Sequence, residues 1–166
     1  IRIKILKNVQ LFLGIFLSKA CFSQWYLSDF TVHGVLYNCA EKYMMAEKAR
    51  LFKDYETLEE ILSAENQKEI KDLGRKIKNF NEELWNREKY EIVKRGNLAK
   101  FSQNENLKEF LLNTGDKIIV EASPYDSIWG IGMGAKDENI EDPTAWKGEN
   151  LLGFALMEVR DLLNTM

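Results

Sequence analysis

Proline is nearly absent from this chain, and that shortage limits the fold more than any motif does. Pro124 and Pro143 are the only two in 166 residues, so nothing before Pro124 carries the ring that breaks a helix. Long helices are therefore open to the first three quarters of the chain. Strands have to be found where β-branched and aromatic residues cluster between turn residues. Thr31-Val32-His33-Gly34-Val35-Leu36-Tyr37 reads as two short strands joined at His33-Gly34. Asn38 reads as an N-cap with Glu41 completing a capping box, opening a helix from Cys39 through Phe52. A short amphipathic helix opened by Thr57 and Glu60 is expected to Ala64, and another over Asn66–Leu73, closed by Gly74 as a C-cap. Asn79 or Asn81 caps a longer helix that ends at Arg95 before Gly96, and Asn104 to Leu112 forms a further one, stopped by Asn113-Thr114-Gly115. Lys117 to Ala122 is the strongest strand, and an apolar helix from Leu151 to about Leu163 closes the chain. The expectation is a helix-rich α+β fold with a few short strands, in one domain spanning residues 1–166.

The first 20 residues allow two readings. Arg2, Lys4 and Lys7 lead an apolar run from Val9 to Leu17, followed by Ser18-Lys19-Ala20-Cys21, an order that resembles a secretory signal. Lys19 is poorly suited to a cleavage motif, and the run is too short to span a bilayer as a helix. The favoured reading is a buried strand at the start of the domain, with a cytoplasmic protein that does not enter a membrane.

Charge and rare residues narrow the chemistry. A formal charge of −3 argues against non-specific duplex binding, which rests on neutralising many phosphates. With one histidine and two cysteines, no multi-histidine metal site and no disulfide framework can be assembled, so neither metal nor cofactor is expected. His33, in a turn, reads as structural or solvent-exposed. Four Trp and six Tyr leave rings to stack on a ligand.

Two regions invite a chemical reading. Glu41 and Lys48, seven apart, share one helix face beside Met44 and Met45; they serve either as cap and surface charge or as a working pair. The second is Glu121 to Gly132, where a strand hands over to a loop holding Asp126, Trp129 and Gly130. Asp126 reads either as an Asx-turn or as a working carboxylate, and Trp129 as a core ring or a stacking plate. Gly130-Ile131-Gly132 is not a dinucleotide fingerprint, because no helix opens directly after it. Basic corners at Arg75, Lys76 and Lys78 and at Lys94, Arg95 and Lys100 read either as solvated charges or as places that hold a phosphate.

These stretches, taken in order, resemble a known family. Phe22-Ser23-Gln24-Trp25, the run from Tyr37 to Ala49, Leu73-Gly74-Arg75, Gly96 to Phe101, Glu121 to Gly132 and Asn150-Leu151-Leu152-Gly153 are similar to the NADAR, or YbiA-like, family over roughly residues 11–163. The resemblance implies an N-glycosidase. Its substrate would be a riboflavin-pathway phosphoribosylaminopyrimidine or an ADP-ribosylated guanine in nucleic acid. It implies Glu41, Asp126 and Lys48 as catalytic residues. Trp85, Trp129, Arg75, Lys100, Gly130 and Asn150 would bind substrate, with Arg75 and Lys100 near phosphate. A module that binds NAD or ADP-ribose without hydrolysis is the alternative, because the same pocket would serve.

Overall fold

The computed structural model describes residues 9–13, as backbone, and residues 21–166. The chain divides into two compact units. One is formed by its two ends, up to Ser23 and from Asn106 onward, and the other by Gln24–Glu105. The basic lead before Val9 and the stretch Gly14 to Ala20 lie outside the described residues.

The Gln24–Glu105 unit starts with an antiparallel hairpin, β2 (Phe30–Val32) and β3 (Val35–Tyr37). His33 and Gly34 both have positive φ, 51° and 79°, the double left-handed turn that matches strand twist. His33 is exposed, as its turn position requires. Four helices follow: α1 (Ala40–Leu51), α2 (Tyr55–Ser63), α3 (Gln67–Lys76) and α4 (Glu82–Ser102). Helix α1 packs against the other three. Every residue from Ala40 to Met45 is buried, charged ones included, as befits a helix covered on all sides. Phe30, Tyr37 and Tyr43 form the aromatic centre, with ring centroids 5.2–6.1 Å apart.

Several helix boundaries differ from the sequence expectation, each for a local reason. The N-cap of α1 is Cys39, with extended backbone and no capping side chain, so Asn38 and Glu41 form no capping box. The Glu41 N–H is instead bound by the Gln24 carbonyl at 2.9 Å. Helix α2 starts earlier than Thr57, because the Asp54 side chain accepts from Thr57 N–H and caps it. Gly74 is no C-cap: α3 runs through it, and a Cβ there would collide with the Met45 side chain. Gly96 does not end α4 either; it leaves room for the Tyr43 ring.

The unit of the two ends holds β1 (Val9–Leu13) paired in parallel with β4 (Ile118–Ala122). The backbone of the expected N-terminal strand is thus present. Helix α5 (Glu105–Leu112) precedes β4, and α6 (Leu151–Asn164) packs against β4. Between them lies an irregular stretch with one 3-10 turn at Pro143–Ala145. Val120, Ala122, Ile131, Met133 and Ile140 form a buried cluster that anchors this stretch to β4. The architecture is helix-rich α+β. Among the described residues no helix is long and apolar enough to cross a membrane.

Candidate functional site

In the Gln24–Glu105 unit the charged residues of α1 are buried or half-buried. Glu41 lies in its first turn, 8% exposed. Lys48, two turns on, points its ammonium at the Gly74 carbonyl, 2.8 Å away. Two rings close around that ammonium: Phe80 at 4.7 Å and Trp85 at 5.4 Å from their centroids. Burial pulls Lys48 below the ordinary lysine range, and the Glu41 charge acts in the opposite sense. An amine with reduced affinity for its proton, facing a carboxylate, is a recurring catalytic arrangement.

Lys100 is fully buried, its ammonium 5.4 Å from the Tyr26 ring and 5.2 Å from that of Phe101. The Cys39 thiol senses both neighbours. Burial pushes it up most, a Lys42 N–H bond opposes that, the Glu41 charge adds to the rise and the Lys100 charge lowers it. The Glu41 charge is thus felt both by Lys48 and by the Cys39 thiol. Arg75, by contrast, is exposed near the end of α3 and pairs with Asp72 at 3.3 Å.

The segment entering α1 is held from behind. Gln24 and the fully buried Asn97 exchange reciprocal amide hydrogen bonds of 3.1 and 3.2 Å. Asn97 also donates to the Val93 carbonyl, and Gln24 in turn fixes the Glu41 backbone. Neither this brace nor Phe80 belongs to the sequence-derived set. The one sequence signal for Phe80 is a large ring between polar residues, Asn79-Phe80-Asn81; the ring is half-exposed and packs edge-on against Phe52 at 5.2 Å.

In the other unit Asp126 forms an Asx-turn. Its Oδ1 accepts from the N–H groups of Ile128 and Trp129 at 3.0 and 2.8 Å. Trp129 is held partly buried by that turn, while Tyr125 beside it is 88% exposed. Gly130 is buried where a Cβ would lie 2.8 Å from the Glu121 carbonyl, so its small size serves packing of the loop on β4. Asn150 is also fully buried. It accepts from the Glu121 N–H and donates to the Ile119 carbonyl, both at 3.0 Å, imitating a neighbouring strand. Glu41, Lys48, Trp85, Arg75 and Lys100 thus fall in one unit, and Asp126, Trp129, Gly130 and Asn150 in the other.

Comparison with known proteins gives these residues a context. A family model described as the NADAR domain matches residues 12–164. An N-glycosidase of Acanthamoeba polyphaga mimivirus is 46% identical over 145 residues, covering 84% of this chain and 85% of that protein. An N-glycosidase of Nostoc punctiforme is 31% identical over 144 residues, covering 84% and 85%. Among solved structures, the NMR structure of the E. coli protein YbiA matches with a TM-score of 0.76 at 26% identity, covering 99% of this chain and 90% of that one.

Proposed function

The chain belongs to the NADAR domain family, and from that premise we propose that it is a hydrolase cutting the bond between a base amine and C1′ of a phosphorylated ribose. The observation that carries the reading is the acid–amine pair on buried α1, Glu41 with Lys48 in its cage of Phe80 and Trp85. Family membership together with relatives named N-glycosidases supports the reaction type. The substrates we assign are a phosphoribosylaminopyrimidine or an ADP-ribosylated guanine. Both join the sugar to an amine outside the base ring.

That shared linkage suggests the path. The amine nitrogen's electrons expel O4′ from C1′, and O4′ takes a proton as the ring opens to leave a C1′ imine. Glu41 stabilises the positive charge at C1′ and relays protons. The Lys48 amine then adds to C1′, and the base amine departs with a proton. Water hydrolyses the lysine imine, returning the free amine and the sugar aldehyde. Trp85, in the same unit as Glu41 and Lys48, is the ring assigned to the base, where stacking is worth about 1–3 kcal/mol. Arg75 is assigned to phosphate. Lys100, being buried, is assigned to the charge balance around Glu41. Asp126 shapes the loop that presents Trp129.

The test is a panel of phosphoribosylaminopyrimidine and ADP-ribosylguanosine, with products followed by mass spectrometry. Wild-type protein is expected to release free base, and Glu41→Gln to lose about 10²–10⁴-fold in turnover while keeping its melting temperature. Binding without base release would make the chain an ADP-ribose-binding module instead. Undiminished rates in Glu41→Gln would remove Glu41 from the mechanism.

A further inference from the structure

A cleft of about 410 Å³ opens one turn beyond Lys48, wholly within the Gln24–Glu105 unit. Leu51 and Phe52 at the end of α1, and Leu84 in the first turn of α4, give it an apolar lining. The Phe52 ring meets Phe80 at 5.2 Å, and Phe80 meets the Lys48 ammonium at 4.7 Å, so one aromatic pair links the cleft to the caged amine. Lys53 lines the cleft from the position after the C-cap of α1, in the left-handed region at φ 56°. Glycine is the residue that fits that position without penalty, and a lysine there carries strain. Its ammonium makes no ion pair among the described residues. A strained cation that the fold does not pair, set in the wall of a cleft, points to use by a ligand. Arg87 lines the same cleft and bonds Glu88 through Nε at 3.0 Å, which leaves both terminal nitrogens outside that bond. Asn81 spends its side-chain oxygen on the Leu84 N–H, which keeps its amide NH₂ as a donor.

We propose that this cleft holds the 5′-phosphate of the ribosyl substrate, with Lys53 and Arg87 as its cations. This rests on the N-glycosidase reading above and deepens it. Lys48 and Phe52 are four apart on one face of α1, whose turn rises about 5.4 Å. That span is comparable with the reach from C1′ of a ribose to the phosphate on its C5′. With C1′ at the Lys48 amine, the phosphate reaches the Phe52 end. Lysine and arginine hold phosphate oxygens through charge-assisted hydrogen bonds. Glu83, which also lines the cleft, repels a bare anion but accepts from a hydroxyl, so the fit is to a sugar phosphate rather than to inorganic phosphate. Arg75, already paired with Asp72, is left to the second phosphate of a diphosphate substrate.

The experiment measures KM and kcat for wild type, Lys53→Gly, Arg87→Ala and Arg75→Ala on the phosphoribosylaminopyrimidine and on the riboside left when its phosphate is removed, alongside melting temperatures. Wild type is expected to favour the phosphorylated substrate. Lys53→Gly and Arg87→Ala should each raise the KM for it roughly tenfold, with a much smaller change on the riboside. Lys53→Gly should also melt at or above the wild-type temperature, because glycine relieves the left-handed backbone. A variant that keeps or gains stability while losing affinity separates binding from folding. Equal losses on both substrates, no loss in either variant, a lowered melting temperature in Lys53→Gly, or a phosphate dependence lost only in Arg75→Ala would overturn the subsite. Failure of wild type to release base from any panel substrate would instead overturn the N-glycosidase reading itself.

Discussion

At Lys48 a single residue combines three environments that pull in different directions. Its ammonium is partly buried, sits against two rings and a carbonyl, and feels the Glu41 charge. Burial dominates and lowers its proton affinity, so the neutral amine that attacks carbon appears at lower pH than in an ordinary lysine. If the amine forms the imine, cyanoborohydride added during turnover is expected to leave a stable sugar adduct on Lys48, located by peptide mass spectrometry. An unmodified Lys48 after complete turnover would leave direct attack by water. The sign of the pH effect follows from the same balance. Trapping rises with pH as the ammonium loses its proton. Because the Glu41 charge holds that proton on, Glu41→Gln should move the rising limb to lower pH, however slow the residual reaction. A limb moving to higher pH would mean that the two groups do not share a field. The spacing of seven made the pairing of Glu41 with Lys48 readable from sequence. The cage was not readable, because Phe80 reaches Lys48 from a different helix connection, and no local pattern encodes that approach.

Helices show where sequence reasoning works and where it stops. The His33-Gly34 turn, the Asn81 cap and the stop at Asn113–Gly115 follow from local chemistry, and the structure has them. Gly74 and Gly96 misled because glycine answers two different needs, a left-handed C-cap and a close approach, and only tertiary packing decides between them. Here both lie inside helices against α1. Their substitution separates the two uses. In a solvent-facing helix, glycine to alanine gains about 1 kcal/mol. Gly96→Ala should instead lose about 1–3 kcal/mol, since its methyl would meet the Tyr43 ring, itself wedged among Phe30 and Tyr37. Gly74→Ala should lose less, because its obstacle is the flexible far end of Met45. Chemical denaturation of both variants tests the order, and a stabilised Gly96→Ala would show that α1 and α4 do not approach as described. The same logic explains the site residues that proved internal. Asn150 and Gly130 sit in motifs that look like ligand contacts; the Asn150 amide bonds to β4, and Gly130 packs where a side chain would meet the Glu121 carbonyl.

Across the whole molecule, the ends of the chain matter to each other. β4 is paired with β1 and bonded through Glu121 and Ile119 to Asn150 at the start of α6, so segments more than a hundred residues apart complete one small sheet. A two-stranded sheet is marginal alone, which makes each partner of β4 expensive to lose. Asn150→Ala removes two buried hydrogen bonds and puts alanine at a left-handed position, φ 54°; a loss of about 2 kcal/mol or more is expected in thermal unfolding. Removal of residues 1–20, the cut a signal-peptide reading would imply, takes away β1 altogether. Hydrogen exchange read by mass spectrometry should then show faster exchange in the peptide carrying Ile118–Ala122, while peptides of α1 and α4 keep their protection, because those helices belong to the other unit. If the β4 peptide exchanges as slowly without β1 as with it, the strand pairing contributes nothing to that unit, and the apolar run at the start of the chain needs another explanation. If the shortened protein loses protection in α1 as well, the two units unfold together, and any damage to β4 must also be counted against Glu41 and Lys48.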